Sequence, residues 1–291
     1  MDLKTLLFGI YPRTENLRRE YAKWERGQMN GQELAVIISD EKEKFYELAR
    51  YAGLDYFTDP LFNWYDILRP IALSVEGIKL GPLRRYKETN TFYREPYVKY
   101  VGDIFDLSEY REIESNPPLP AFHSSPGQSY LYFLPGIHSF LRMSHLDCSY
   151  QEALDGLEKA YLKLIDTLSI KRLLIYEPIG IESLEIYSSL ASATMLFIAV
   201  QDFKGNLGTG SWEVHSVISN DPYKFSRLCE VPGIMGIDAF STKIGNGAVE
   251  LAKKFADDFT SLIVANNESF DFLPRVIADK KLMSFRGESF T

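Results

Sequence analysis

Short apolar runs alternate along this chain with longer segments whose apolar residues recur every three or four positions. The runs "LKTLLFGI" (3–10), "YLYFLPG" (130–136), "KRLLIYEP" (171–178), "TMLFIAVQDF" (194–203), "GIMGIDAF" (233–240) and "SLIVANNE" (261–268) have the length and composition of strands. The segments "TENLRREYAKWERG" (14–27) and "GQELAVIISDEKEKFYELARYAG" (31–53) read as helices. Thr14 is placed to cap the first and Gly27 to stop it, while Gly53 closes the second. "SYQEALDGLEKAYLKLIDTLSI" (149–170) opens a long amphipathic helix on Ser149, and "IESLEIYSSLASA" (181–193), "DPYKFSRLCEV" (221–231) and "NGAVELAKKFADDFT" (246–260) read as helices too.

Strands alternating with helices over short connections imply parallel βαβ units with right-handed crossovers. No Gly-rich G-x-G-x-x-G turn follows the first strand, where "FGIYPRTEN" stands instead, and no low-complexity linker divides the chain. The expectation is an α/β fold, a TIM-like (β/α)8 barrel spanning residues 1–291 as a single domain. In such a barrel the residues just past each strand line the active face. They are Tyr11, Pro12 and Arg13, then His138, Glu177, Gln201, Asp202, Asp238, Ser241, Asn266, Asn267 and Glu268.

Composition narrows the class. With 45% hydrophobic and 25% charged residues the chain can bury a sizeable core. A formal charge of −8 argues against a nucleic-acid partner, which requires a basic face. Cys148 and Cys229, the two cysteines, cannot make a disulfide framework or a cysteine-rich metal cluster, which points to a reducing cytoplasm. The apolar stretch near the N-terminus is too short for an export signal or a membrane span, so no membrane is expected.

The opening "FGIYPRTENLRREYAKWERGQMNGQEL" resembles that of the cobalamin-independent methionine synthase family, in which a Gly-x-Pro-Arg turn follows the first strand. In the same order, "LDYFTDPLFNWYDIL", "YKETNTFYREP", "FLPGIHSF", "LLIYEP" and "LFIAVQDFKGN" resemble further family segments, so the resemblance spans nearly the whole chain. Members have two barrels, of which the C-terminal one holds a catalytic zinc that activates homocysteine as a thiolate. At the positions matching that barrel's His-x-Cys this chain has Val200 and Asp202, and Tyr176 replaces the Asp of its Asp-Glu-Pro. No cysteine follows Cys229, which sits in a helix-like pattern. The resemblance therefore implies the N-terminal type of barrel standing alone, with no metal or cofactor of its own. Its partner would be a separate zinc-bearing barrel, and its possible donor ligand a methyl-folate or related pterin.

Two groups of residues are candidates for substrate binding. Arg13, Arg18, Arg19 and Lys23 lie on or beside the first helix, where Arg19 and Lys23 share a face, and the resemblance implies a role in holding the anionic tail of a folate. Solvated helix surface is the plain alternative. The loop-like "YKETNTFYREP" (86–96) offers Lys87, Asn90 and Arg94 for a carboxylate or a pterin-like ring, or else simply caps the barrel. Glu177 is a candidate acid, base or structural group. Three readings stay open: a methyltransferase subunit, a binding or scaffold barrel without chemistry, and an independent barrel enzyme using rim carboxylates such as Glu177, Asp202 and Asp238.

Overall fold

The structure is a computed structural model that describes residues 1–89, 91–105, 129–205, 214–245 and 247–285. Eight strands close a barrel in the order β1 (Asp2–Leu7), β11 (Ser261–Asn266), β10 (Cys229–Ile237), β9 (Val214–Ser219), β8 (Met195–Val200), β7 (Arg172–Glu177), β5 (Tyr130–Pro135) and β2 (Tyr56–Thr58). Every neighbouring pair in it is parallel, so all the C-terminal strand ends open on one mouth. The expected eight-stranded α/β barrel is what the chain forms.

The strands read as near-continuous apolar runs because both of their faces are covered. In β7 and β11 five of six residues are buried. Alternate residues serve different layers. Leu6, Ile263 and Ala265 join one apolar cluster, whereas Leu7, Leu262 and Val264 pack into a second with Leu34, Ile38 and Phe45 of helix α2 (Gly31–Tyr51). Asn30 and Glu33 make a capping box at the start of α2, and Gly53, at φ +69, lies just beyond its end. Helix α1 (Glu15–Glu25) begins on Thr14, whose side chain accepts from the Leu17 N–H as its sequence predicts.

Between β2 and β5 the chain departs from the simple repeat. A short helix α3 (Arg69–Ser74) leads into β3 (Ile78–Arg85) and β4 (Phe92–Val98), an antiparallel hairpin that β6 (His145–Leu146) extends into a three-stranded sheet. The segment 86–96 is therefore half turn and half strand. Its polar and aromatic residues alternate along a ribbon with exposed positions on both sides, which hides the period of two. Asn90 lies outside the described residues.

After β5 come α4 (Ile137–Arg142) and the long α5 (Tyr150–Thr167), which opens on a capping box of Ser149 and Glu152. Helices α6 (Ser188–Ala193), α7 (Ala248–Lys253) and α8 (Arg275–Ser284) follow β7, β10 and β11. The segment 181–193 is a short 3₁₀ turn and one short helix instead of a single helix. The helix expected at 221–231 does not form. Asp221 caps a single 3₁₀ turn, Pro222–Phe225, and the chain then enters β10, where Cys229 pairs with Val214 and Val231 with Ser216. Parallel pairing with β9 overrides the local helical period.

Candidate functional site

At the mouth, β11 runs out into Asn266, Asn267 and Glu268, and side chains lock this rim in place. Asn266 accepts from the Phe8 N–H at 3.0 Å and donates to the carbonyls of Phe8 and Glu268. Asn267 accepts from the Ala239 N–H, and Ser269 Oγ from the Ile10 N–H. Gly9, at φ +86, permits that approach: a Cβ there would stand 2.3 Å from Ser269 Oγ. The ends of β1, β10 and β11 are thereby tied together around Glu268.

Glu268 is 2% exposed and collects five donors. Tyr176 Oη, at 2.6 Å, and the Ser269 N–H donate to its Oε1. Tyr86 Oη at 2.9 Å, Lys87 Nζ at 3.1 Å and Gln201 Nε2 at 3.1 Å reach its Oε2. Burial, with the Glu268 charge added, pushes both tyrosines well above the ordinary phenol range, so both remain donors. Gln201 also lies 2.6 Å from the Asn267 carbonyl through Nε2 and 2.6 Å from Lys87 through Oε1, which fixes its amide orientation. The strand-end residues Gln201 and Glu268 and the hairpin residue Lys87 thus meet at one point, although 181 residues separate Lys87 from Glu268.

The other candidates lie apart from that point. The Arg13 guanidinium donates to the carbonyls of Phe62 and Trp64 and stacks over Tyr21 at 3.9 Å, so it holds the rim together. Arg18 is exposed on α1. Arg19 bonds Asn16 and approaches Glu20, to which Lys23 also donates, so part of the expected basic face is neutralised on its own helix. The Arg94 side chain is exposed and reaches the Gly81 carbonyl across the hairpin, while its backbone N–H donates to Asp66. Asp202 pairs with Lys204, and Asp238 accepts the N–H groups of Phe240 and Ser241.

Glu177 is fully buried and closed to a ligand in this structure. It accepts the His138 and Ser139 N–H groups at the start of α4 and the Tyr187 hydroxyl. A Cβ at Gly136 would stand 2.1 Å from its carboxyl carbon. Burial raises its pKa against the pull of these donors, and its place is structural.

Beside Glu268 lies a narrow, half-open cleft with a cavity volume of about 30 Å³ between the hairpin and the barrel rim. Asp271, on the 3₁₀ turn Phe270–Phe272, lines it. Its Oδ1 is out of contact with solvent and has no hydrogen-bond partner. Burial and the nearby Glu268 charge push its carboxyl up to about 7. Asp271 and Tyr86 were not evident as site residues in the sequence, although each stands next to or near one that was, in "YK" and "ESFD".

A zinc set does not fit this mouth. Val200 and Asp202 stand where the resembled family has its His-x-Cys. Cys229 opens β10 at the opposite end of the barrel, its thiol pushed up to about 11 by burial. Cys148 is beside α5, and nearby His145 stacks on Tyr97 at 5.0 Å. Among the described residues no group of three or more His, Cys, Asp or Glu side chains is arranged to hold a metal ion.

The geometry can be set beside known proteins. A Listeria monocytogenes protein provisionally assigned as a vitamin-B12-independent methionine synthase superposes with a TM-score of 0.63 at 14% identity, over 94% of this chain and 93% of that one. The chain has the fold of that methionine synthase structure. A B12-independent methionine synthase from Shewanella sp. W3-18-1, solved in complex with selenomethionine, gives 0.61 at 13% identity over 89% and 88% of the two chains. At these identities the likeness establishes the barrel and its topology. No family model and no curated protein sequence matches the chain. Among the described residues no helix is long and apolar enough to cross a membrane.

Proposed function

We propose that this protein is a methionine-synthase-like barrel that binds a small ligand at its mouth and assists methyl transfer from a methyl-folate or related pterin to homocysteine. The observation that carries the reading is the Glu268 centre: a buried carboxylate at a strand end, held by two tyrosines, a glutamine and a hairpin lysine. Preorganised donors and acceptors at the C-terminal end of barrel strands suit ligand orientation. The polar head of a ligand would exchange hydrogen bonds with Gln201 and Lys87, which Glu268 and the buried Tyr176 hold in place, while Arg18, on exposed α1, would meet the anionic tail of a folate together with Arg19 and Lys23.

Zinc would activate the homocysteine thiol from a separate barrel, since among the described residues no group of three or more His, Cys, Asp or Glu side chains is arranged to hold it. A one-chain activity has one specific observation in its favour. This chain spans 93% and 88% of the two methionine synthase chains, so those proteins are also of single-barrel length.

Calorimetric titration of methyl-tetrahydrofolate and of homocysteine into the protein tests the binding part of the proposal. Saturable one-to-one binding of the donor, weakened about tenfold by Glu268→Gln, is the expected result. No binding of either compound, with or without a zinc-bearing partner barrel, would contradict it.

A further inference from the structure

The Glu268 centre is covered. Its carboxylate side chain is 2% exposed, and the cleft beside it, at about 30 Å³, holds little more than a water. That cleft lies between the β3–β4 hairpin and the barrel rim and is too narrow for a heterocycle as it stands. Access to Glu268 therefore depends on what holds the hairpin tip down.

The hairpin divides into a fixed base and a long arm. At the base Ile78 and Val98 are 6% and 0% exposed, and Tyr97 and Val98 pair with His145 and Leu146 of β6. Just above it the register shifts. Leu80 stands opposite Pro96 and Leu83 opposite Arg94, so Gly81 and Pro82 together face Glu95. A bulge of two residues against one bends a ribbon and interrupts its ladder, and Pro82 has no N–H to contribute. Beyond the bulge the arm runs on to Lys87 for roughly 17 Å, at about 3.4 Å per residue. The pairing of the arm puts Leu83, Arg85, Phe92 and Arg94 on one face, and all four are exposed. A two-stranded ribbon with an uncovered face is marginally stable by itself.

Only at its tip does the arm return to burial. Tyr86 is 7% exposed and donates to Glu268, and Lys87 reaches both Glu268 and Gln201. Lifting the tip removes these contacts without stranding a charge in the core. Glu268 keeps the Tyr176 hydroxyl, the Ser269 N–H and Gln201 Nε2 as donors. The Lys87 side chain, already 30% exposed, passes into water.

We propose that the distal hairpin is a gate, which bends at the Gly81–Pro82 bulge, lifts Tyr86 and Lys87 off Glu268, and recloses them over a ligand at the mouth. The motion itself needs no ligand; the identity of the ligand it admits rests on the proposed function. Lys87 thereby has two roles, as latch in the closed state and as a group that meets the ligand on reclosure.

The test is a distance measurement by double electron–electron resonance on the whole protein, with Cys148 and Cys229 replaced by Ala. Spin labels go on Glu88→Cys, exposed at the tip, and on Val276→Cys, 64% exposed on α8. With the latch intact one distance should dominate, and a second population should be displaced from it by about 5 Å or more. That second population should grow about threefold or more in Lys87→Met. It should grow likewise in Tyr86→Phe, which keeps the buried ring and removes one bond to Glu268. Labels on Lys99→Cys, exposed at the base, and Val276→Cys should give one unchanged distance in all three proteins. A tip distance that is single and the same in all three, or a base distance that shifts together with the tip, would overturn the proposal. No ligand is added in these measurements, so failure of the gate and failure of the proposed function are read separately.

Discussion

Lys87 Nζ lies 3.1 Å from Glu268 Oε2, and this ion pair fastens the tip of the β3–β4 hairpin to the barrel mouth. Lys87 adopts φ +49, a left-handed conformation uncommon for a residue with a side chain, so the turn is held by contacts such as this one. The Glu268 side chain is 2% exposed and that of Lys87 30%, which makes the pair much less screened than a surface one. Lys87→Met leaves the buried carboxylate without its ammonium and should destabilise the protein by about 1–3 kcal/mol in urea denaturation. In a cycle with Glu268→Gln the two losses should couple by at least about 1 kcal/mol; additive losses would mean that the contact carries no energy.

Glu177 should behave as a structural residue. Glu177→Ala strips the first N–H groups of α4 and the Tyr187 hydroxyl of their acceptor inside the core. The expected loss is about 3–5 kcal/mol, read by denaturation. A Glu177→Ala protein of unchanged stability would contradict this assignment.

Asp271 makes stability fall with pH. Its folded carboxyl titrates near 7 against an ordinary value of 3.8, so the folded state holds a proton that the unfolded state releases first. Its contribution is fully present below about pH 4 and is lost as pH rises through about 7. Asp271→Asn should therefore gain about 1–3 kcal/mol relative to wild type at about pH 8 and little at about pH 4. An equal effect at both ends of the range would place the titration elsewhere.

Gly9 is fixed by backbone and space together. Gly9→Ala at φ +86 would drive a methyl group into Ser269 Oγ and disturb the bond from the Ile10 N–H. A loss of at least about 1–3 kcal/mol is expected, seen as a lower melting temperature. A mutant as stable as wild type would show that the rim shifts freely.

The basic side of α1 separates surface charge from tail binding. Combined substitution of Arg18, Arg19 and Lys23 by Gln touches exposed or partly exposed side chains and should change stability by no more than about 1 kcal/mol. If this face holds a folate tail, affinity for a polyglutamylated donor should fall more than affinity for the monoglutamate. Equal loss for both would exclude that role.

Much of the barrel was legible because strands covered on both faces carry unbroken apolar runs, as in "LLIYE" and "SLIVAN". Two strands lacked that signature. β2 is three residues long, and β9, "VHSVIS", carries His215 and two serines, one of them the fully buried Ser216. The stretch at 221–231 has helical spacing, but Cys229 and Val231 are needed to pair with β9. The same limit applies to the site. Glu268 and Gln201 follow from being strand ends, whereas their convergence with Tyr86 and Lys87 depends on a hairpin whose return over the mouth no local pattern encodes. Charge on α1 was visible, and its partial neutralisation by Glu20 was not, since i,i+3 pairing depends on rotamers.

The most direct test of the proposed function is methionine formation from homocysteine and methyl-folate by a zinc-bearing barrel protein from the same source, with and without this chain. Turnover that rises when the chain is added, and falls about tenfold or more with Glu268→Gln, is the predicted result. Turnover that is the same with and without the chain, and no activity of the chain alone, would contradict it.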